Sequence, residues 1–304
     1  MRATSVLLTA AAVATAIIPV HAQRPADHPS VTVDGQTYTP ASILARNMGS
    51  AEDQETAFPP HRIAGNIYYV GTRTLSSFLI VTPQGNILIN TTYERNAEVI
   101  RKSVEQLGFR FADVRIVLGN HAHGDHQEGD ALVKQKTGAQ VMAMAEDVPA
   151  LRAMKPGGKE HPIDKVLHDG DTVTLGDATL VAHLTAGHTA GATTWTMKSI
   201  EDGKSYDVVF FTSLRSGATV SPAVAAMFDR SFALVRTLPC DVPLGDHPAQ
   251  YRMQEKYLSA VAQRAKADAK LRPGAPNPFL DKAGCLTEAR IQEAMYHAVV
   301  AEQK

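Results

Sequence analysis

The sequence has little cysteine, few aromatic residues and no excess of charge of either sign. Only two of the 304 residues are cysteine, and their spacing is not that of a cysteine zinc site. The sequence has 30 lysine and arginine residues and 31 aspartate and glutamate residues. The excess of basic residues that is typical of a nucleic-acid-binding or membrane-binding protein is therefore missing. Aromatic residues make up 6% of the chain, but 44% of residues are hydrophobic, as in globular proteins. We therefore expect a globular protein that binds neither nucleic acid nor a membrane.

A long hydrophobic run is also missing, except at the amino terminus. There, Arg2 precedes an apolar stretch from Val6 to Val20, and the small residue Ala22 follows. This pattern is typical of a secretory signal peptide, and the apolar stretch is short for a membrane span. We predict a signal peptide over residues 1–22 that is cleaved near Ala22. The mature chain, residues 23–304, is expected to be a monomeric single domain in the periplasm or the medium.

The two cysteines, Cys240 and Cys285, have two interpretations. An oxidising compartment favours one disulfide between them, and a pair of buried thiols is the alternative. Closing a loop of about 46 residues would stabilise the fold by about 4 kcal/mol in the chain-entropy model.

Apolar runs and helical spacings alternate along the chain, which predicts an α/β protein. Runs at 66–71, 77–81 and 87–90 are joined by a Pro/Gly turn and predict hairpin strands. Residues 96–108 place apolar residues at helical spacing, and Gly108 is expected to end this helix. A second hairpin is predicted for 193–197 and 206–211, and an amphipathic helix for 221–238.

One loop concentrates the chemistry: the sequence His121-Ala122-His123-Gly124-Asp125-His126. It follows an apolar strand, Val114–Leu118, and precedes a predicted helix, so polar groups can converge there without disturbing a core. Three imidazoles and one carboxylate suit Zn²⁺ better than Mg²⁺ or Ca²⁺, which prefer oxygen ligands. The alternative is a polar surface loop that happens to be rich in histidine. We interpret the cluster as a two-metal site.

Two later strand ends also carry a histidine. His188 lies in a glycine-flanked turn, Ala186–Gly191, and His247 ends a short apolar stretch that begins at Val242. Functional groups of α/β enzymes gather at strand ends in this way. The other histidines, including His161, lack a partner motif and are interpreted as loop, surface or capping residues.

These motifs resemble those of the metallo-β-lactamase superfamily, and their order and flanking residues resemble its exported B3 subclass. The similarity runs from about Asn66 to the carboxyl terminus and includes Leu238-Pro239-Cys240-Asp241. The resemblance implies a four-layer αβ/βα sandwich with the metals at one edge between the two sheets. It also implies a disulfide between Cys240 and Cys285.

Carried over to this sequence, the resemblance implies two zinc ions. His121, His123 and His188 would hold the first ion. Asp125, His126 and His247 would hold the second. The implied reaction is hydrolysis of the β-lactam ring of penicillins, cephalosporins or carbapenems by a hydroxide between the two ions, which Asp125 would orient as the catalytic carboxylate.

The stretch from Phe210 to Arg215 distinguishes superfamily members. Glyoxalase II and many lactonases resemble one another in placing an aspartate there, whereas this chain has Thr212-Ser213. Ser213 resembles the lactamase subclass, but Arg215 stands where that subclass usually has a second serine. Ser213 and Arg215 are the expected contacts of the substrate carboxylate, because a guanidinium can bind a carboxylate through two hydrogen bonds. The loop at 216–221 is short and lacks tyrosine, and Glu128 is a candidate acidic neighbour of the metals.

Three functional hypotheses follow. The first is an exported dizinc β-lactamase. The second is a related dizinc hydrolase of another ester or amide, such as a lactone, or a β-lactamase-like protein of low activity. The third is a zinc-binding module without turnover.

Overall fold

Two β-sheets face each other in the structure, a computed structural model that describes residues 28–268 and 276–303. A short hairpin of β1 (Val31–Val33) and β2 (Gln36–Tyr38) precedes them. The larger sheet contains, in spatial order, β3 (His61–Ala64), β4 (Ile67–Tyr69), β5 (Phe78–Thr82), β6 (Gly85–Ile89), β7 (Val114–Leu118), β8 (Gln140–Met144) and β9 (Lys165–Leu167). The smaller sheet contains β10 (Thr172–Leu175), β11 (Ala178–Leu184), β12 (Thr193–Glu201), β13 (Lys204–Phe211) and β14 (Val242–Gly245).

The connections between strands decide where loops meet. Strands β6 to β9 are parallel to one another, as are β13 and β14, and the remaining neighbours are antiparallel. The helices of the described residues are α1 (Pro40–Met48), α2 (Ala51–Glu55), α3 (Ala97–Gln106), α4 (Gly124–Gln127), α5 (Asp130–Thr137), α6 (Val148–Met154), α7 (Pro222–Val235), α8 (Met253–Asp268) and α9 (Thr287–Glu302).

Alternation along the strands divides the core into three apolar layers, because successive side chains of a strand point to opposite faces. In β6, Ile87 and Ile89 lie in the layer between the sheets, whereas Leu88 packs toward α3 and α5. In β13, Phe210 faces the other sheet and Val209 packs toward α7 and α9. Each sheet therefore carries helices on its outer face only. This arrangement is the αβ/βα sandwich that the resemblance implied, so the predicted fold class is confirmed.

The predicted local structures agree with those observed. Both hairpins form, as β5–β6 and β12–β13. Helix α3 ends two residues before Gly108, whose φ of 87° is left-handed and whose N–H donates to Glu105 O. The predicted signal peptide, residues 1–22, lies outside the described residues, so both it and the domain boundary at residue 23 stay predictions. None of the described helices combines the length and the apolar composition of a membrane-spanning segment.

Side chains at the strand ends tie the two sheets together at one edge. Asn120, which follows β7, donates through Nδ2 to Thr193 O at 3.0 Å, and its own carbonyl accepts from Thr193 N at 2.7 Å. Trp195, the only tryptophan of the sequence, donates from Nε1 to Gly119 O at 3.0 Å. Buried polar groups with complete hydrogen bonds fix one arrangement of the chain. The end of β7 is therefore held against the start of β12.

A disulfide joins Cys240, just before β14, to Cys285, just before α9. The bond is the one that the resemblance implied, and the alternative of two buried thiols is wrong. It closes a loop with a sequence separation of 45 residues, and β14 carries His247 at its end. The bridge therefore anchors the terminal helix to a strand that leads into the histidine cluster.

Replacing both Cys240 and Cys285 by alanine should lower the free energy of unfolding by about 4 kcal/mol, because the unfolded chain regains the entropy of a loop of this length. Urea unfolding of the variant and of wild type measures this difference. Wild type that has been reduced with dithiothreitol should unfold at the urea concentration of the variant. Coincident midpoints of the variant and the oxidised wild type would contradict the prediction.

Candidate metal centre

Three strand ends bring the predicted ligands to the same edge of the sandwich. The cluster 121–126 follows β7 and leads into α4, so His123 is the N-cap residue of that helix. His188 lies between β11 and β12, and His247 directly follows Gly245 and Asp246 at the end of β14. Because β7 and β12 are tied through Asn120, these loops face one another.

Each of the six predicted side chains lies within a few ångströms of at least one other. One ring nitrogen from each of His121, His123 and His188 lies within 4.8 Å of the other two. Asp125 Oδ2 lies 3.2 Å from His126 Nε2 and 3.8 Å from His247 Nε2. The ring centroids of His121 and His126 are 4.3 Å apart, so the two trios adjoin. The structure thus brings together all six residues from three distant parts of the sequence.

The ring nitrogens that have no protein partner indicate where a metal fits. His188 Nδ1 lies 2.8 Å from Arg215 O, and His247 Nδ1 lies 3.0 Å from Thr74 O. These contacts fix each ring and leave its Nε2 available. His121 Nε2 and His126 Nδ1 are buried without a hydrogen-bond partner, and His126 Nε2 has only the carboxylate of Asp125 beside it, at 3.2 Å. Buried polar atoms are normally paired, and Zn²⁺ would satisfy His121 Nε2 and one ring nitrogen of His126. The donor set therefore fits the metal that the sequence predicted.

The electrostatics of the cluster favour the metal-binding form of every predicted ligand except His126, where burial would lower the pKa but the neighbouring Asp125 raises it. Burial lowers the pKa of His121 to about 4, with a contribution from the nearby charge of His126. Burial also lowers the pKa of His188 and of His247. Neutral imidazole is the form that binds a metal. Burial would raise the pKa of Asp125, but the neighbouring His126 and His247 hold it well below its usual range. Asp125 is therefore an ionised carboxylate at neutral pH.

Asp147 is a residue whose role sequence reasoning missed. Its buried carboxylate accepts from Ala122 N at 2.9 Å, from Thr189 Oγ1 at 2.8 Å and from Gly191 N at 2.7 Å. These donors belong to the loop of His121 and His123 and to the loop of His188. Gly191 has to be glycine, since a Cβ there would lie 2.5 Å from the backbone nitrogen of Asp147. Asp147 thus holds the two loops together, and an aspartate outside any motif gave no sequence signal for this.

The candidate substrate contacts lie in different surroundings. Ser213 is buried, and its hydroxyl donates to Asp246 Oδ1 at 3.0 Å. The proton of that hydroxyl is therefore not directed toward a substrate. Arg215 is partly buried, and burial lowers the pKa of its guanidinium. The nearby carboxylates of Asp125 and Asp246 offset part of this decrease. Burial is the main reason that the pKa of His123 is lowered, and the charge of Arg215 lowers it further. Arg215 is thus a cation within electrostatic range of the cluster.

The residues that follow the histidine motif form a buried polar network beside the cluster. His161 Nε2 lies 3.2 Å from Asp130 Oδ2, and both side chains are fully buried. Asp130 also accepts from Thr91 Oγ1 at 2.6 Å and from Gln127 Nε2 at 3.2 Å. The interpretation of His161 as an ordinary loop residue is therefore incomplete. Glu128, a candidate acidic neighbour of the metals, accepts from Glu94 N at 3.3 Å.

Comparisons with known proteins agree with this geometry. A family model described as "Metallo-beta-lactamase superfamily" matches residues 70–199. The native FEZ-1 metallo-beta-lactamase from Legionella gormanii is 38% identical, with 82% of this chain and 97% of that chain covered and a TM-score of 0.72. BJP-1, a subclass B3 metallo-beta-lactamase of Bradyrhizobium japonicum, is 33% identical, with 83% and 97% covered and a TM-score of 0.72.

A curated relative has another activity in its name. A hydroxyacylglutathione hydrolase from Rhodospirillum rubrum is 33% identical over 95 residues, which are 31% of this chain and 32% of that enzyme. The chain thus spans about a third of the length of this relative.

Proposed function

The chain belongs to the metallo-beta-lactamase superfamily, and on that basis we propose that it hydrolyses β-lactam antibiotics with two zinc ions. The observation that carries the proposal is the convergence of His121, His123 and His188 with Asp125 and its neighbours His126 and His247 at one sheet edge. The likeness of the chain to metallo-beta-lactamases covers 97% of the FEZ-1 chain. The superfamily is hydrolytic, so metal-dependent hydrolysis is common to the activities considered for this chain.

Each of the six side chains has a part in the proposed site. His121, His123 and His188 would hold one zinc ion, and Asp125, His126 and His247 would hold the other. Bound zinc supplies a Lewis acid for the carbonyl oxygen and makes water acidic enough to attack at neutral pH. Asp125 is the only carboxylate of the six and is ionised, so its oxygen can accept a hydrogen bond from the attacking water and orient it. Histidines fixed through Arg215 O and Thr74 O keep this geometry rigid.

Arg215 is the proposed contact for the carboxylate of a β-lactam. Its backbone carbonyl fixes His188, so the residue is anchored to the site at its main chain. Its guanidinium is always charged and can bind a carboxylate through two parallel hydrogen bonds. Since the Ser213 proton is directed to Asp246, recognition of the substrate anion depends chiefly on Arg215.

Replacing Arg215 by alanine should raise KM for penicillins and cephalosporins about 10- to 100-fold, since hydrogen bonds to charged groups contribute about 1.5–3 kcal/mol. The kcat should change much less, because this contact is equally present in the ground state and the transition state. Steady-state kinetics measure both constants. Arg110→Ala is the control, because the Arg110 side chain is 79% exposed. An unchanged KM at an unchanged zinc content would refute this role of Arg215.

Hydrolysis of a hydroxyacylglutathione thioester is the second candidate, and the curated relative favours it. The residues after β13 argue against it, since Thr212-Ser213 stands where the resemblance implies an aspartate in glyoxalase II. Hydrolysis of a lactone and zinc binding without turnover are the third and fourth candidates.

A substrate panel separates these functions. Purified protein whose zinc has been counted is assayed with a penicillin, a cephalosporin, a carbapenem, a hydroxyacylglutathione and a lactone, each with and without EDTA. We expect EDTA-sensitive opening of at least one β-lactam and much slower turnover of the thioester and the lactone. A fully metal-loaded protein that opens none of the β-lactams would falsify the proposal, and the remaining substrates then identify the activity.

We propose that the protein is exported from the cytoplasm. The disulfide between Cys240 and Cys285 supports it, because such bonds persist in oxidising compartments. Amino-terminal sequencing of the protein recovered from the periplasm or the medium should find a chain that begins just after Ala22.

A further inference from the structure

Asp246 lies between the metal cluster and the smaller sheet, and no motif singles it out. Its side chain has no exposed surface. Its Oδ2 accepts from Ser213 N at 2.6 Å and lies 3.2 Å from His121 Nδ1, and its Oδ1 accepts from Ser213 Oγ at 3.0 Å. One carboxylate at the end of β14 thus contacts Ser213, the second residue after β13, and the first histidine after β7.

The hydrogen-bond network assigns the tautomer of His121. Thr212 Oγ1 lies 3.2 Å from His121 Nδ1 and donates its own proton to Asn120 O at 3.3 Å, so it faces the ring as an acceptor. Asp246 Oδ2 is an acceptor as well. With two acceptors beside it, Nδ1 carries the proton of His121. The other nitrogen, Nε2, then has a free lone pair, and it is the atom that is buried without a protein partner.

A direct bond from Asp246 to a metal is the competing role. Oxygen and nitrogen atoms of His126, Asp246 and His247 lie within 4.8 Å of one another. However, three donors already use the carboxylate, which has about four lone-pair sites. Two of these donors belong to Ser213, whose buried N–H would lose its partner if the carboxylate turned toward a metal. The contacts therefore favour a role through His121.

We infer that Asp246 is a positioning residue that fixes His121 in the tautomer whose Nε2 lone pair faces the first metal site. This inference rests on the proposed function only for the presence of zinc. Carboxylate partners of metal-binding histidines set the orientation of the ring and raise its basicity, and their loss typically weakens metal binding about 10- to 100-fold. By this contact, the end of β14 would serve both trios, through His247 directly and through Asp246 indirectly.

Two substitutions separate charge from hydrogen bonding. Asp246→Asn keeps the shape and an oxygen that can accept from His121 Nδ1 and Ser213 N, but it removes the negative charge. Asp246→Ala removes the charged acceptor of the Nδ1 proton. Thr212 Oγ1 is then the only neighbour of Nδ1, and it can turn its proton from Asn120 O toward Nδ1 and stabilise the other tautomer. Both substitutions are made in full-length protein and in a His247→Ala background, where the first site is isolated.

The readouts are zinc affinity by competition with a chromogenic chelator and the His121 tautomer in zinc-free protein by ¹H–¹⁵N NMR. We expect first-site affinity to fall about 10-fold in Asp246→Asn and about 100-fold in Asp246→Ala. The His121 signal should shift from Nδ1–H toward Nε2–H in the alanine variant. Asp130→Asn is the matched control, because Asp130 is equally buried and accepts several hydrogen bonds but contacts none of the six ligands. Its first-site affinity should change less than about threefold.

The outcomes distinguish this inference from the proposed function. Unchanged zinc affinity and an unchanged His121 tautomer in both variants would overturn the inference, even in an active β-lactamase. A loss confined to the second site would also overturn it, because Asp246 would then be a ligand of that site. Weaker first-site zinc binding in a protein that opens no β-lactam would support the inference and reject the proposed substrate.

Discussion

Substituting alanine for His247 should slow β-lactam hydrolysis at least about 100-fold and reduce the bound zinc from about two ions per chain to about one. His247 contributes a buried nitrogen to the second trio, and Thr74 O fixes its ring. Since the loss of an indirect partner already costs up to about 100-fold, the loss of a direct ligand should cost at least as much. Zinc counting and steady-state kinetics on the same preparation measure both effects.

A surface histidine provides the comparison for this substitution. His168 is exposed in the turn between β9 and β10, so His168→Ala should keep both the zinc content and the rate. Unchanged metal content in His247→Ala would contradict the assignment of the second trio. A fall in zinc with full retention of activity would instead show that one ion is sufficient for the reaction.

Replacing Asp147 by alanine should lower the free energy of unfolding by about 4 kcal/mol and weaken zinc binding at the first site. The substitution leaves Ala122 N, Gly191 N and Thr189 Oγ1 without their acceptor. A buried donor without a partner costs about 1–3 kcal/mol, and contributions within one network are not strictly additive. The loops of His121, His123 and His188 also lose the contact that holds them together. Urea unfolding and chelator competition measure the two effects.

The neighbouring residue supplies a matched control. Glu146 is exposed and lies in the same turn, so Glu146→Ala should change stability by less than about 0.5 kcal/mol and leave zinc affinity as in wild type. Asp147→Asn keeps one acceptor oxygen, so its stability and its zinc affinity should lie between those of Asp147→Ala and wild type. If Asp147→Ala loses stability but binds zinc as tightly as wild type, Asp147 contributes to the fold without positioning the ligands.

The sequence determined the parts of this protein that depend on local pattern. Alternation and Pro/Gly turns predict the hairpins, and helical spacing predicts α3 and α7, because both periods follow from backbone geometry. Three histidines and an aspartate within six residues are too dense for ordinary packing, so this loop could be identified as a metal site without a structure. Their positions at strand ends singled out His188 and His247, and the resemblance then divided the six ligands between two ions.

Only the tertiary structure decided how these segments meet and which other side chains hold them. The roles of Asp147 and Asp246 depend on hydrogen bonds to loops that are distant in sequence, and an isolated aspartate carries no periodic or motif signal. For the same reason, the sequence indicates Ser213 as a candidate substrate contact but gives no sign that its hydroxyl donates to Asp246. Ligand types can be identified in the sequence because metal chemistry restricts them to a few residues. The side chains that support these ligands cannot be identified in this way, since many polar residues can form the same hydrogen bonds. Only the packing of β7, β13 and β14 decides which residue does so.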